Sequence, residues 1–337
     1  EARREGKLEH FAQRLRELGR ELSYQSWSKL KIEFLRDHIE TVPLSPERVE
    51  TRLNLAALFR QLVRWPEAEQ QSTAALKEAE SLANAALLTW ALNDHAHLLK
   101  VTNRLAEAEP LMRRALAIAE ASFGKDHPEF AIRLNNLAAL LQDTNRLTEA
   151  EPLMRRALAI DEICFGKEHP EVATDLNNLA QLLMDANRLA EAEPLMRRAF
   201  AIDEASFAKD HPHIARDLNN LASLLQATNR LAEAEPLMRR ALAIDEANYG
   251  KDHPEVATGL NNLAQLLQAT NRIVDAEPLM RRALAIDEAS FGKDHPKVAI
   301  RLNNLAILLK ATNRLADAEL LMRRALVIDE ASFGKDH

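Results

Sequence analysis

One cysteine, Cys164, stands in 337 residues. An internal disulfide framework is therefore excluded, and the chain suits a reducing compartment, which places it in the cytoplasm. Glycine occurs eight times and aromatic residues make up 4% of the chain, against abundant Ala, Leu, Glu and Arg. That balance argues against turn-rich sheets and for helix throughout. No apolar run is long enough to cross a bilayer. There is no basic excess: the net charge is −7, and residues 1–50 carry ten charges of each sign, so the acidic surplus lies beyond them. A surface that tracks phosphates is usually basic, so no nucleic-acid partner is expected. Glycine-rich phosphate loops, a nucleophile beside a base, and paired carboxylates with a reason to be buried are all missing. The chain is expected to be no enzyme and to carry no cofactor. No secretory signal is visible, the first residue is Glu1 rather than methionine, and the last is His337. The expectation is an excerpt from a longer, multidomain bacterial protein.

What is present is repetition. The segment 189–212, LAEAEPLMRRAFAIDEASFAKDHP, returns almost unchanged at Leu105, Leu147, Leu231, Ile273 and Leu315. The pairs beginning His127, His169, His211, His253 and His295 each stand 42 residues after the last. A fixed period of this size marks a stacked repeat architecture, which grows by nearest-neighbour contacts and needs no central core. Each copy reads as two helices. The first (A) carries an apolar stripe, as at Ala173, Leu176, Leu179, Ala180 and Leu183, and closes at an asparagine that tolerates the left-handed conformation, Asn187. The second (B) is expected to begin near Ala190, with Pro194 ending its first turn, where early amides lack acceptors. Gly166, Gly250 and Gly292 read as its terminators; Ala208 in that place predicts a rearranged or weaker loop. Glu193 and Arg197 form an i,i+4 pair, and Asp203-Glu204 is expected on an exposed stretch.

The small residues Ala180, Ala192 and Ala199 at helix–helix approaches resemble the tetratricopeptide repeat. The 42-residue length and the strings LNNLA, EAEPL, RRALAI and FGKDHP are similar to the kinesin light chain branch, also found in nephrocystin-like and bacterial multidomain proteins. The resemblance runs from Glu50 to His337, although leucine and methionine (Leu183, Met196) stand where that family usually has aromatics. It implies an all-α, right-handed superhelical solenoid of antiparallel helix hairpins, with the A helices lining its inner surface. The expected organisation is an N-terminal helical extension or cap over 1–46, a degenerate copy over 47–84, and six 42-residue copies over 85–337. Within the extension, residues 1–22 and 25–40 are amphipathic, and Ser45 before Pro46 is a good helix start.

The candidate residues for binding lie on the A helices. An asparagine pair recurs as Asn135-Asn136, Asn177-Asn178, Asn219-Asn220, Asn261-Asn262 and Asn303-Asn304, with Asn93-Asp94 in the first clear copy. An amide both donates and accepts, so a ladder of them suits an extended peptide backbone. In the resembling family such a ladder contacts peptide. The same amides could instead bond neighbouring helices and set the stacking, or each asparagine of a pair could do one task. Two columns beside the ladder vary between copies while helix B is nearly invariant: Trp90, Ile132, Thr174, Arg216, Thr258, Ile300, and His97, Ala139, Gln181, Ser223, Gln265, Ile307. Partner-specific side chains beside a fixed ladder would vary in this way, as would neutral drift after duplication. The site residues are therefore the asparagines together with Thr174, Gln181, Arg216 and Gln265. The repeated histidines stand on the order of 10 Å apart in stacked helices, too far to share a metal, and read as turn and cap residues. The Met112–Met322 column reads as core, and the Arg pairs as a self-neutralised face.

The leading function is a protein-interaction module that holds a peptide or partner domain in its concave groove. The alternative is the sensor or autoinhibitory region of a signalling ATPase or protease whose catalytic domain lies outside this sequence. A self-associating spacer is a third reading.

Overall fold

The computed structural model describes residues 24–333, and the amphipathic segment 1–22 lies outside them. Fifteen helices and no strands occur among the described residues: α1 (Tyr24–Thr41), α2 (Pro46–Gln61), α3 (Trp65–Ser81), α4 (Ala85–Val101), α5 (Leu105–Phe123), α6 (Pro128–Asp143), α7 (Leu147–Phe165), α8 (Pro170–Asp185), α9 (Leu189–Ser206), α10 (Pro212–Ala227), α11 (Leu231–Tyr249), α12 (Pro254–Ala269), α13 (Ile273–Phe291), α14 (Pro296–Ala311) and α15 (Leu315–Phe333). From α2 onward they pair as antiparallel hairpins, the even-numbered helix being A and the odd-numbered one B. Each B helix then packs on the next A helix.

The turns follow from the residues at them. Ser45 caps α2, its Oγ accepting from the Arg48 amide. His127, His169, His211, His253 and His295 cap α6, α8, α10, α12 and α14, each Nδ1 accepting the amide two residues on. Proline follows as the first helical residue, where it has no amide bond to lose. Every A helix from α4 to α14 closes on an asparagine with φ between 56° and 61°. At Asn187 the amide reaches Met184 O and the Arg188 amide reaches Leu183 O, satisfying the terminal carbonyls. The B helices start one residue earlier than expected, at Leu189 rather than Ala190, so Pro194 sits in the second turn. The carbonyl that loses its amide partner belongs to Ala190, which is exposed.

Gly124, Gly166, Gly250 and Gly292 end their helices with φ near 90° and ψ near 160°. Only glycine adopts that region readily. Ala208 does not enter it. Helix α9 stops one residue sooner, at Ser206, and Phe207 turns the chain in extended conformation. The loop is rearranged rather than strained.

The core is a stripe along the array. Met112, Met154, Met196, Met238 and Met280 lie buried between the leucine pairs of successive A helices, with Ala180 and Ala192 fully covered at the close approaches. Smaller clusters, such as Val172, Ala173, Leu176, Ala199 and Ile202, fill the other end of each hairpin. Apart from a contact of α1 with α13, contacts between non-consecutive helices run along the A series, α2 to α4, α4 to α6, α6 to α8 and α8 to α10. The A helices are thus the crowded, concave side.

The outer side is held by charge. Arg188 bonds Glu191 in its own copy and Glu151 in the copy before, at 2.7 and 2.6 Å; Arg146, Arg230 and Arg272 do the same. Glu193 also takes Arg197 at 2.7 Å. These arginines hold the Glu193 carboxyl below its ordinary range.

One turn breaks the pattern. Val63 occupies the asparagine position of the degenerate copy and is held at φ 56°, with its amide on Arg60 O and the Arg64 amide on Phe59 O. A left-handed β-branched residue costs about 1–2 kcal/mol. Val63→Asn should therefore raise stability by about 1 kcal/mol in a urea titration. An unchanged or lower midpoint would show that the turn is not strained.

Candidate binding surface on the inner helices

The A helices are positioned by their caps at both ends and by the buried leucine stripe, which leaves the opposite face open along the concave side. The variable columns fall on that face. Trp90 is 39% exposed, Ile132 42%, Ile300 54% and Ile307 52%. Gln181, Ser223, Gln265 and Thr258 are exposed, and Thr174 and Arg216 half-buried. Large apolar side chains thus stand at the two ends of the surface and polar ones in its middle.

The asparagines divide into two sets. Asn135 donates to Asp175 and Asn177 donates to Asp217 at 2.8 Å, each reaching the next A helix. Asn220 donates back to Asn177 at 3.4 Å and Asn304 to Asn261 at 2.9 Å. Asn93 turns onto its own helix, donating to Thr89 O. Asn177 and Asn261 are buried. Asn136, Asn178, Asn262 and Asn303 are half-buried and their side chains make no hydrogen bond among the described residues; Asn219 keeps its Oδ1 without a partner there. Among the other candidates, Gln181 donates to Asp185, and Arg216 holds Asp203 and Asp217 at 3.0 and 3.1 Å. The Gln265 side chain makes no hydrogen bond among the described residues. Amide capacity therefore remains along the surface between the variable columns.

Behind this surface lies a feature that the sequence reading placed wrongly. Asp203 is not on an exposed stretch: it and Asp287 are fully buried, and Asp161 and Asp245 are buried. Each faces the next A helix, and the residue it meets changes from copy to copy. Asp161 meets Asp175 and Asp203 meets Asp217, carboxyl to carboxyl within hydrogen-bonding reach. Asp245 stands at the level of Gly259, and Asp287 bonds Arg301 at 2.8 Å. Paired, buried carboxylates are thus present after all. The signal was legible in part, because Ala150, Met154, Ala157 and Asp161 continue one helical stripe. The identity of the partner across the stack was not.

At Asp175 and Asp203 burial comes first and the neighbouring carboxylate second, and the two are pushed up to about 7; Asp245 is pushed, by burial and Glu255, to about 6. Burial of both carboxyls of the Asp161–Asp175 pair favours a protonated form, and Asn135 donates to the same Asp175 carboxyl. Among the described residues no group of three or more His, Cys, Asp or Glu is placed to hold a metal ion, and no helix is long and apolar enough to cross a membrane. His95, a neighbour of the first pair Asn93-Asp94, bonds Ser72 Oγ at 2.9 Å.

A carboxyl whose folded pKa lies above its unfolded value stabilises the fold only while protonated. Stability should fall as pH rises from about 4 to about 7, the interval between the unfolded and folded values. Asp161→Asn removes one charge and offers Asp175 a donor. It should stabilise the chain by about 1–3 kcal/mol at pH 8. The gain should shrink toward pH 4, as read by urea titrations at both pH values; a gain independent of pH would show that the pair is not protonated in the fold.

The family model for the tetratricopeptide repeat matches residues 87–163, 129–205, 171–247, 213–289 and 255–331. No curated protein sequence matches the chain. Among solved structures it is similar to the nearly identical repeats of a putative kinesin light chain from Podosopora anserina, at TM-score 0.53 and 23% identity over 61% of this chain and 97% of that one. It is also similar to BtubC (BKLC) from P. vanneervenii, at TM-score 0.54 and 24% identity over 69% and 91%. A third similar structure is a Rap protein solved in complex with competence and sporulation factor, at TM-score 0.59 and 14% identity over 87% and 79%. These similarities show a shared fold of stacked helix hairpins, and the overlapping matches from 87 to 331 show that the chain belongs to the tetratricopeptide repeat family.

Proposed function

We propose that the chain is a non-catalytic protein-interaction module that holds an extended peptide, or an extended segment of a partner, along the concave face of its A helices. The observation that carries this reading is the row of amides Asn136, Asn178, Asn262 and Asn303, whose side chains bond nothing among the described residues and which run between two columns that vary along the array. An extended backbone has a donor and an acceptor at each residue and meets such a row whatever its sequence. The variable columns then select side chains. Trp90 and Ile132 near one end, and Ile300 and Ile307 near the other, suit apolar residues; Thr174, Gln181, Arg216, Thr258 and Gln265 suit polar ones between them. Of the remaining asparagines, Asn135, Asn177, Asn220, Asn261 and Asn304 serve this reading by holding neighbouring helices in register beneath the peptide, whereas Asn93 bonds its own helix and Asn219 keeps a free oxygen on the same row. The third similar structure carries a bound factor by its printed description, which fits a use of this fold as a holder of small polypeptides.

The test uses peptides selected on the protein from a random display library. Each bond lost to a peptide backbone costs about 0.5–1.5 kcal/mol. Replacing Asn136, Asn178 and Asn262 together by Ala should weaken the selected peptides about tenfold to a thousandfold. The thermal midpoint should stay in place, because these side chains bond nothing among the described residues. Asn177→Ala should act in reverse, lowering the midpoint through the lost Asp217 and Asn220 bonds. A triple variant that binds every selected peptide normally would overturn the reading.

A further inference from the structure

The octapeptide ASFGKDHP occurs twice without change, at 121–128 and 289–296. Both occurrences end a B helix and start the next A helix, and both sit in the same hairpin stacking. Their surroundings should be alike, yet they are not. Ser122 and His127 are exposed, whereas Ser290 is 4% exposed and His295 7%. The related Cys164, Ser206 and Asn248 are exposed too. Pro254, beside this loop at the start of the same hairpin, is buried where Pro128, Pro170 and Pro212 are half-buried. The repeat stack leaves this position exposed in the other copies, Cys164, Ser206 and Asn248 included, so something from elsewhere in the chain covers this corner.

The cover is the N-terminal part. Helix α1 touches α13, more than two hundred residues away in sequence. The turn after α2 brings the Gln61 backbone against the His295 ring. His295 Nδ1 accepts the Lys297 amide as helix cap, which leaves the proton on Nε2. That Nε2 lies beside the Gln61 carbonyl without a well-aligned bond. Burial pushes the ring down to about 4, so it is neutral in this contact. Between the two partners the array has gone round once: the hairpins α4/α5 to α12/α13 form the turn, and the contact closes it.

We propose that α1 and the α2–α3 turn form a latch that closes one superhelical turn onto the His295 corner, enclosing the concave face of the A helices until it is released. The junction involves the edge of one helix and one turn, against whole helix lengths at every hairpin interface. It is therefore the place where the ring opens without unfolding a repeat. Helix α1 is itself anchored by Ile32, Leu35 and Ile39 on Leu55, Leu58 and Phe59 of α2, so it moves with the first hairpin as one body. The latch rests on this geometry alone; its bearing on peptide entry rests on the function proposed above.

The test compares thiol labelling at Ser290→Cys and Ser122→Cys, each in the full chain with Cys164→Ser. The two probes share their flanking sequence, so an intrinsic difference in reactivity is excluded. Ser290→Cys should label at least tenfold more slowly. Adding His295→Asp keeps a good helix cap but puts a charge under the latch. It should bring the two rates within about twofold, with the helical circular dichroism unchanged. His127→Asp, the same change at the uncovered copy, should alter neither rate. Equal labelling in the unaltered chain would overturn the latch. So would continued protection of Ser290→Cys in the His295→Asp chain. No ligand enters the measurement, so its failure leaves the peptide reading standing, and failure of the peptide reading leaves the latch standing.

Discussion

Every other feature depends on the stacking of one B helix onto the next A helix. The alanines at the close approaches, fully buried in each copy, let the backbones come near enough for a methionine such as Met196 to fill the gap between leucine pairs. Because each copy packs mainly on its neighbours, stability accumulates along the array. Small differences between copies at the stacked surface therefore act locally. The last copy shows the same rule from the other side: Met322, the counterpart of five buried methionines, is 39% exposed where no further described helix covers it.

Polar groups enter this apolar stack at one level, and there the copies differ. Two interfaces carry carboxyl pairs, one a carboxyl opposite a glycine, and one an Asp287–Arg301 ion pair with Thr258 as a further partner of the arginine. Burying an unpaired carboxylate is costly, and holding a proton lessens the cost. The bonds from Asn135 to Asp175 and from Asn177 to Asp217 tie this level to the asparagines of the concave face. Part of the amide ladder is in this way part of the stacking, which leaves the side chains of Asn136, Asn178, Asn262 and Asn303 uncommitted among the described residues.

Much of the fold was legible because it is local. The 42-residue period, the left-handed asparagines, the histidine caps and the Ser45 start each depend on residues within one turn of helix. The end of α9 at Ser206 shows the limit of such reasoning: Ala208 avoided a glycine conformation by shortening the helix, an adjustment that no spacing announces. The buried Asp203 was misplaced because a charged doublet reads as solvent-facing until its position on the stripe is weighed. The covered His295 was not legible at all, since its sequence matches the exposed His127 and the difference arises from a contact across the whole turn. Of the candidate site, the helix and the face follow from the repeat, whereas the division of the asparagines between stacking and free capacity depends on whether Asp, Gly or Arg stands opposite.

The central claim is that binding takes place on the concave face, along several consecutive copies at once. Hydrogen exchange of the full chain, with and without a peptide selected on it, tests this most directly. The account predicts that protection appears in the A helices of at least three neighbouring copies, around Asn136, Asn178 and Asn262, with the B helices little changed. Protection confined to the B helices, or to a single loop, would contradict it.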